Sequence, residues 1–167
     1  MRIGRVTTPL GDMLLAIDGD GILRAADFAD CEVRLRRLLD RRLGFNRNFA
    51  AGEAPESVKA SFEAYFEGDL GALLDIPLRS NGTAFQETVW NALRAIDPGR
   101  PVTYAQLAGR LHRPRSARAV GHANGANPFC IVIPCHRLIG ADGNLTGYSG
   151  GVARKRWLLD HEARYAG

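Results

Sequence analysis

Cysteine is scarce: three residues in a chain of 167, too few and of the wrong parity for a disulfide framework, so a cysteine with a special role here has it through thiol chemistry. Long apolar runs are missing as well, and nothing approaches the roughly eighteen uninterrupted residues of a membrane span. The opening MRIGRVTTPLGDMLLAIDGDG has no apolar block of signal-peptide length before Asp18, so the expectation is a cytoplasmic protein with no membrane partner. There is no long low-complexity stretch and no internal repeat, which removes disordered and fibrous classes. Lysine is nearly absent, since 20 of the 22 cationic side chains are arginine. That excess suits phosphate and base-edge contacts, but codon usage in a GC-rich genome produces it equally well.

What is present is a folded composition, 46% hydrophobic and 24% charged, in a chain long enough to bury a core without staples. The net charge of +4 is unevenly spread: residues 1–82 sum to −2 and residues 83–167 to +6. A basic second half points to a polyanion partner, nucleic acid above all, although basic balance also serves solubility.

Val6 to Pro9, Met13 to Ile17 and Ile22 to Phe28 read as short strands, with Asp18-Gly19-Asp20-Gly21 as a hairpin turn, giving a small antiparallel sheet. Leu35, Leu38, Leu39 and Leu43 recur at helical spacing up to Gly44, and Pro55 opens a second pattern with Val58, Phe62, Tyr65 and Phe66. These helices are expected to cover the sheet. Ile76 to Gly82, rich in turn residues and coincident with the charge shift, reads as a linker. The expected class is therefore mixed α/β (α+β), with domains at 1–80 and 81–167.

Thr83 with Gln86 and Thr103 with Gln106 are capping boxes, the first opening a helix with Phe85, Val89, Trp90 and Leu93, the second a short helix with Tyr104, Leu107, Ala108 and Leu111 on one face. After His112-Arg113-Pro114, the stretch Arg115 to Asn124 is helical in spacing with Gly125 as terminator, so two short helices flank a tight turn as in a helix-turn-helix. Arg115, Arg118 and His122 fall on one face, interleaved with Ala117, Ala119, Gly121 and Ala123. Such small residues either let this helix approach a partner closely or pack on the preceding helix, and both readings stand at this point.

The most informative segment is Asn127-Pro128-Phe129-Cys130-Ile131-Val132-Ile133-Pro134-Cys135-His136-Arg137. Ile131 to Ile133 reads as a buried strand that Pro134 ends, presenting Cys135 at a strand end. A thiolate is the nucleophilic form, and His136 and Arg137 are candidates for lowering the thiol's pKa, provided a turn after Pro134 brings them round. A buried structural thiol is the competing reading. Glu162, in a final helix from Val152 to about Tyr165, shares a face with Leu158 and Leu159 and so needs a partner. Paired with His136 it would complete a Cys-His-Glu relay; otherwise it pairs at the surface with Lys155 or Arg154. Cys130, Cys135, His136 and the distant Cys31 lack zinc-ligand spacing, so no metal and no cofactor are expected.

The Pro134–Arg137 block, the TxFQxxVW stretch at Thr83 to Trp90, Tyr104, the RAVG at Arg118 to Gly121, Asn127-Pro128, Tyr148-Ser149-Gly150-Gly151 and the terminal WLLxHE of Trp157 to Glu162 together resemble the O6-alkylguanine-DNA alkyltransferase family. The likeness spans essentially residues 83–167, with TPLG at Thr8 to Gly11 extending it weakly into the first half. The resemblance implies a ribonuclease-H-like N-terminal domain with an antiparallel sheet, and a mostly helical C-terminal domain whose helix-turn-helix binds double-stranded DNA in the minor groove. It implies that the damaged base is flipped out, with Arg118 as the residue that fills the gap and Arg115, Ala117, Ala119 and Gly121 as its DNA-facing neighbours.

In that reading Cys135 attacks the alkyl carbon on guanine O6, His136 takes the thiol proton through a water, and Glu162 orients the ring. Tyr104 hydrogen-bonds or protonates the base, Ser149 donates to O6, and Asn127 braces the reactive loop. Tyr148, Ser149, Gly150 and Leu138 would line the substrate pocket, with O4-alkylthymine as a further substrate. The product thioether resists hydrolysis, so a monomer acts once.

Two departures stand out: His122 where relatives often carry a small or apolar residue, expected to be exposed, and Cys130 where some carry proline. The cysteine and histidine set that binds structural zinc in some members is missing. A damage sensor that flips without transfer, and a thiol hydrolase with multiple turnover, are the competing functions.

Overall fold

The computed structural model describes residues 1–44 and 48–167, which divide into two compact units. The first comprises Met1–Asn81 with Pro128–Val132, the second Gly82–Asn127 with Ile133–Gly167.

In the first unit, β1 (Arg2–Thr8), β2 (Gly11–Ile17) and β3 (Leu23–Phe28) form consecutive antiparallel pairs. Thr8 Oγ1 donates to the Gly11 carbonyl and accepts from Leu10 N, which closes the first hairpin at Pro9-Leu10. In the second, the Asp18 carboxylate accepts from Asp20 N and Ile22 N, and Gly21 takes the left-handed conformation (φ 79°) that this tight turn needs. β4 (Ala50–Ala51), which no sequence pattern marks, adds in parallel to β1 and gives the order β3-β2-β1-β4.

Central β2 is buried on both faces, which is why its MLLAI run shows no polar alternation. Helix α1 (Glu32–Leu43) packs on β3, with Leu35 and Leu39 meeting Leu14, Ala16 and Ala25, and it ends at Gly44 as the leucine spacing predicts. Helix α2 (Glu56–Phe66) packs on β1 and buries Val58, Phe62 and Tyr65. Each fully buried side chain of this kind contributes about 1.5–3 kcal/mol relative to exposure.

Two expectations change here. Ile76 to Gly82 is no free linker: Leu23 N donates to the Pro77 carbonyl, Arg79 N donates to the Leu23 carbonyl, and Arg24 binds Arg79 O and Asn81 Oδ1. The open edge of β3 offers backbone partners that turn residues accept as readily as strand residues do. Pro128–Val132, which the sequence assigns to the second domain, joins the first unit for a similar reason. Ala26 N donates to Pro128 O and Cys130 N to Ala26 O, a single parallel bridge at Phe129.

The second unit contains α3 (Ala84–Arg94), β5 (Val102–Thr103), α4 (Tyr104–Arg110), α5 (Ala117–Gly125), β6 (Leu138–Ile139) and α6 (Val152–Tyr165). Both capping boxes form as predicted, with Thr83 and Thr103 accepting from Gln86 N and Gln106 N while each glutamine side chain accepts from its threonine N–H. Helices α4 and α5 pack on one another, and α3 packs on α5, where buried Trp90 donates its indole N–H to Ala123 O at 2.8 Å. Helix α5 starts two residues later than its spacing suggests. Ser116 caps it without a side-chain hydrogen bond, Arg115 lies before it, and Gly125 is its last residue rather than its terminator.

Candidate active site

The second unit is organised around two adjacent two-residue strands. β5 pairs in parallel with β6, Val102 opposite Leu138 and Thr103 opposite Ile139. β5 runs directly into α4, whose first residue is Tyr104, and β6 follows directly from the 3₁₀ turn Cys135–Arg137. This pairing brings the start of α4 to the reactive segment across more than thirty residues of sequence, a long-range closure that no local signal announces. It also buries Leu138 completely.

The apolar run before Cys135 is buried but is not a strand. After the bridge at Phe129, Ile131 takes a left-handed conformation (φ 70°), uncommon for a β-branched residue, and the chain turns rather than extending. Hydrophobicity specifies burial, while the backbone path is set by closure of the loop: Asn127 Nδ2 donates to the Ile133 carbonyl at 2.9 Å, pinning together the residues on either side of it. Pro134 (φ −78°, ψ 67°) then starts the 3₁₀ turn, with Arg137 N donating to the Pro134 carbonyl. The turn that a Cys135–His136 pairing requires is therefore present. Cys135 is 5% exposed and His136 0%.

Helix α6 packs on this turn and supplies Glu162, which is fully buried. His136 Nε2 lies 2.8 Å from Glu162 Oε1, while Arg137 donates Nε to Oε2 at 2.9 Å and Nη2 to Oε1 at 2.8 Å. The remaining Arg137 amine donates to the Ile96 carbonyl at 2.7 Å. The surface pairing of Glu162 with Lys155 or Arg154 is thus excluded. Arg137 is committed to Glu162 and Ile96, so it is not the cation beside the thiol that adjacency in sequence suggests.

Burial raises the Glu162 carboxyl pKa, but the charge and hydrogen bonds of His136 and Arg137 outweigh it and hold the group ionised, well below the usual carboxylate range. Burial pushes His136 below its ordinary value against the pull of Glu162, and the permanent charge of Arg137 adds to that. With Arg137 already balancing Glu162, the ring is neutral, with Nε2–H donating to the carboxylate. Nδ1 is left as the bare nitrogen, buried and without a hydrogen-bond partner among the described residues. Such an arrangement accepts a proton at Nδ1 and stabilises the resulting imidazolium through Glu162.

Tyr104, half-buried, has its phenol pKa raised by burial and by the negative charge of Cys135, so it remains a proton donor at neutral pH. A Cβ built on Gly121 would sit 3.7 Å from the Tyr104 ring, and one on Gly147 3.7 Å from its hydroxyl, so Tyr104 packs between the two glycines. Gly121, partly exposed, therefore stands beside the tyrosine. Arg115, Arg118, Ala119 and His122 are exposed, and Ala117 partly so. Val120, Ala123 and Asn124 form the inward face. Tyr148 is buried, Ser149 exposed and Gly150 intermediate, with Gly151 N donating to Tyr148 O.

Sequence reasoning misses the placement of two charged groups. One is Arg137, whose guanidinium is 7% exposed in its pair with Glu162. The other is Lys155, fully buried on α6, seven residues before Glu162. That spacing of two helical turns is the signal that would place Lys155 on the inward face.

Mixed α/β architecture carrying a buried cysteine next to a neutral, carboxylate-anchored imidazole defines a protein whose chemistry is nucleophilic attack by sulfur. A family model described as the 6-O-methylguanine DNA methyltransferase DNA-binding domain matches residues 84–164. A methylated-DNA–protein-cysteine methyltransferase of Shigella flexneri is 44% identical over 95% of this chain and 93% of its own, and one of Salmonella typhimurium is 45% identical with the same coverage. The solved structure of Mycobacterium tuberculosis OGT in complex with DNA superposes with a TM-score of 0.82 at 34% identity, over 99% of this chain and 94% of that one. The chain belongs to the methylated-DNA–protein-cysteine methyltransferase family.

Proposed function

We propose that this protein repairs DNA by direct, single-turnover transfer of the alkyl group from O6-alkylguanine to its own Cys135. The observation that carries the reading is the polarised His136: Nε2 held by ionised Glu162, Nδ1 bare and buried, immediately after a buried thiol. The thiol proton passes through a water to Nδ1. The sulfur electron pair forms the S–C bond, the C–O6 bond breaks, and its electron pair leaves with the guanine, which gains a proton to balance the one lost from sulfur. Tyr104, kept protonated, supplies a donor to the base, and Ser149 donates to O6, so the charge developing on the leaving group meets prepared donors. Asn127 holds the loop that carries Cys135. Tyr148, Gly150 and the backbone at Leu138 complete the base pocket.

The alkylated base lies inside a duplex, so it must be rotated out before sulfur can reach it. Exposed Arg118 on α5 is suited to fill the gap, with Arg115, Ala117 and Ala119 toward the minor groove, α4 and α5 acting as the helix-turn-helix, and the protein working as a monomer. The basic balance of residues 83–167 favours this partner.

Incubation with an oligonucleotide containing O6-methylguanine is expected to add one methyl group to the peptide bearing Cys135, in one-to-one stoichiometry. Cys135→Ala should bind the lesion and take up nothing. An unchanged mass refutes transfer and leaves a damage sensor; multiple turnover of an ester or peptide points to a hydrolase.

A further inference from the structure

Helix α5 turns a narrow face outward. Four of its residues are exposed, Arg118, Ala119, His122 and Gly125, at the i, i+1, i+4 and i+7 spacing of one ridge. Ala119 carries only a methyl group, and a Cβ added at Gly125 would meet nothing within 4 Å. Arg118 and His122 are therefore the two side chains that project from this ridge. Val120, Ala123 and Asn124 make the packing contacts on the opposite face. The His122 ring has no hydrogen-bonding, ionic or ring partner among the described residues. Its own carbonyl accepts from Ala126 N at 3.0 Å, so the backbone is still helical there and the ring's direction is set by the ridge. Neither packing within the unit nor the chemistry at Cys135 uses this imidazole.

His122 stands one turn beyond Arg118, about 6 Å along the helix axis. A helix is about 10 Å across and the minor groove about 6 Å wide, so α5 brings only its longest exposed side chains to the base edges. Ala119 and Gly125 let the backbone sit close at the mouth of the groove. Successive base pairs are about 3.4 Å apart, which puts the His122 ring within about two pairs of the nucleotide that Arg118 replaces. At an A·T pair the floor of the groove shows adenine N3 and thymine O2, both acceptors, and at a G·C pair the guanine amino group stands among them as a donor. An imidazole carries an N–H donor in either protonation state, and the more negative potential of an A·T minor groove draws histidine as it draws arginine.

We infer that His122 is a second DNA-reading residue, which donates to the minor-groove edge of an A·T pair beside the lesion and so makes repair depend on flanking sequence. This rests on the alkyl-transfer reading and adds substrate choice to it.

Duplexes that carry a single O6-methylguanine, and differ only in whether the nearest pairs on one side of it are A·T or G·C, test the assignment. Single-turnover methyl transfer gives each protein a ratio of rates, A·T over G·C, and the intrinsic ease of flipping in each duplex cancels when wild type is compared with a variant. On one side of the lesion the wild-type ratio is expected to exceed that of His122→Ala by about three-fold or more, the worth of one hydrogen bond. His122→Gln, which keeps a side-chain N–H, should retain part of that difference, and His122→Leu, which keeps bulk without a donor, should lose it.

Equal ratios in wild type and His122→Ala on both sides of the lesion overturn the inference, as does a wild-type ratio preserved in His122→Leu. A wild-type protein that takes no methyl group refutes the repair reading instead. The same ratios, read as dissociation constants of Cys135→Ala with and without His122→Ala, then decide on His122 without any transfer.

Discussion

Replacing Glu162 with glutamine removes one charge from a fully buried site at nearly constant volume. Glu162 Oε1 accepts from His136 Nε2 and Arg137 Nη2, and Oε2 accepts from Arg137 Nε. A glutamine side chain has one acceptor oxygen, so if that oxygen stays with His136 and Nη2, its amide nitrogen faces Arg137 Nε, donor against donor. Arg137, 6% exposed, then keeps the Ile96 carbonyl but loses its counter-charge. Breaking a buried pair from one side costs about 3–5 kcal/mol, and the retained acceptor puts Glu162→Gln near the lower end. At about 2–4 °C per kcal/mol for a chain of this size, Tm should fall by about 6–12 °C.

The sign of the pH dependence comes from the depressed pKa. The Glu162 contribution is fully present above its ordinary value of 4.5 and is lost as pH falls from there through the folded value, so the gap between wild type and variant narrows only in acid. His136, depressed by burial, adds a separate loss below its ordinary 6.5 that both proteins share in direction. Urea denaturation across this range reads both effects. Methyl transfer by the variant should slow by at least about 10-fold, because the imidazolium loses its anion. A stability within about 0.5 kcal/mol of wild type at neutral pH, or a gap that is the same on both sides of 4.5, refutes this account of the pair.

The same geometry sets two further outcomes. Arg118→Ala should slow repair of an alkylated duplex far more than reaction with the free alkylated base, since in the proposed function the exposed arginine serves extrusion and not sulfur; equal losses on the two substrates count against it. Asn127→Ala removes one of two donors to the Ile133 carbonyl, which keeps Cys135 N, and should cost about 0.5–1.5 kcal/mol in urea denaturation together with a loss of transfer rate, since the loop is released at its base.

Much of the second unit is legible before folding. Both capping boxes, the α6 boundaries, the exposure of Arg118 and His122, and the approach of Glu162 to His136 obey local rules of spacing and hydrogen-bond capacity. The errors share a cause. Ile131 to Ile133 reads as a strand because apolar runs report burial, not hydrogen-bond partners, and the chain there is steered by a bridge to β3 and by Asn127. Ile76 to Gly82 looks like a linker because its composition says nothing of the open edge that binds it.

Residue order alone therefore singled out the candidate groups: one thiol, one imidazole, one carboxylate and an arginine-bearing helix. Only the tertiary structure decided their states. The His136 tautomer, the ionisation of Glu162 and the diversion of Arg137 to a carboxylate all depend on desolvation and on contacts between segments far apart in sequence. Those are properties of a closed interior, where a charge must find its partner or be neutralised, and no linear spacing specifies them.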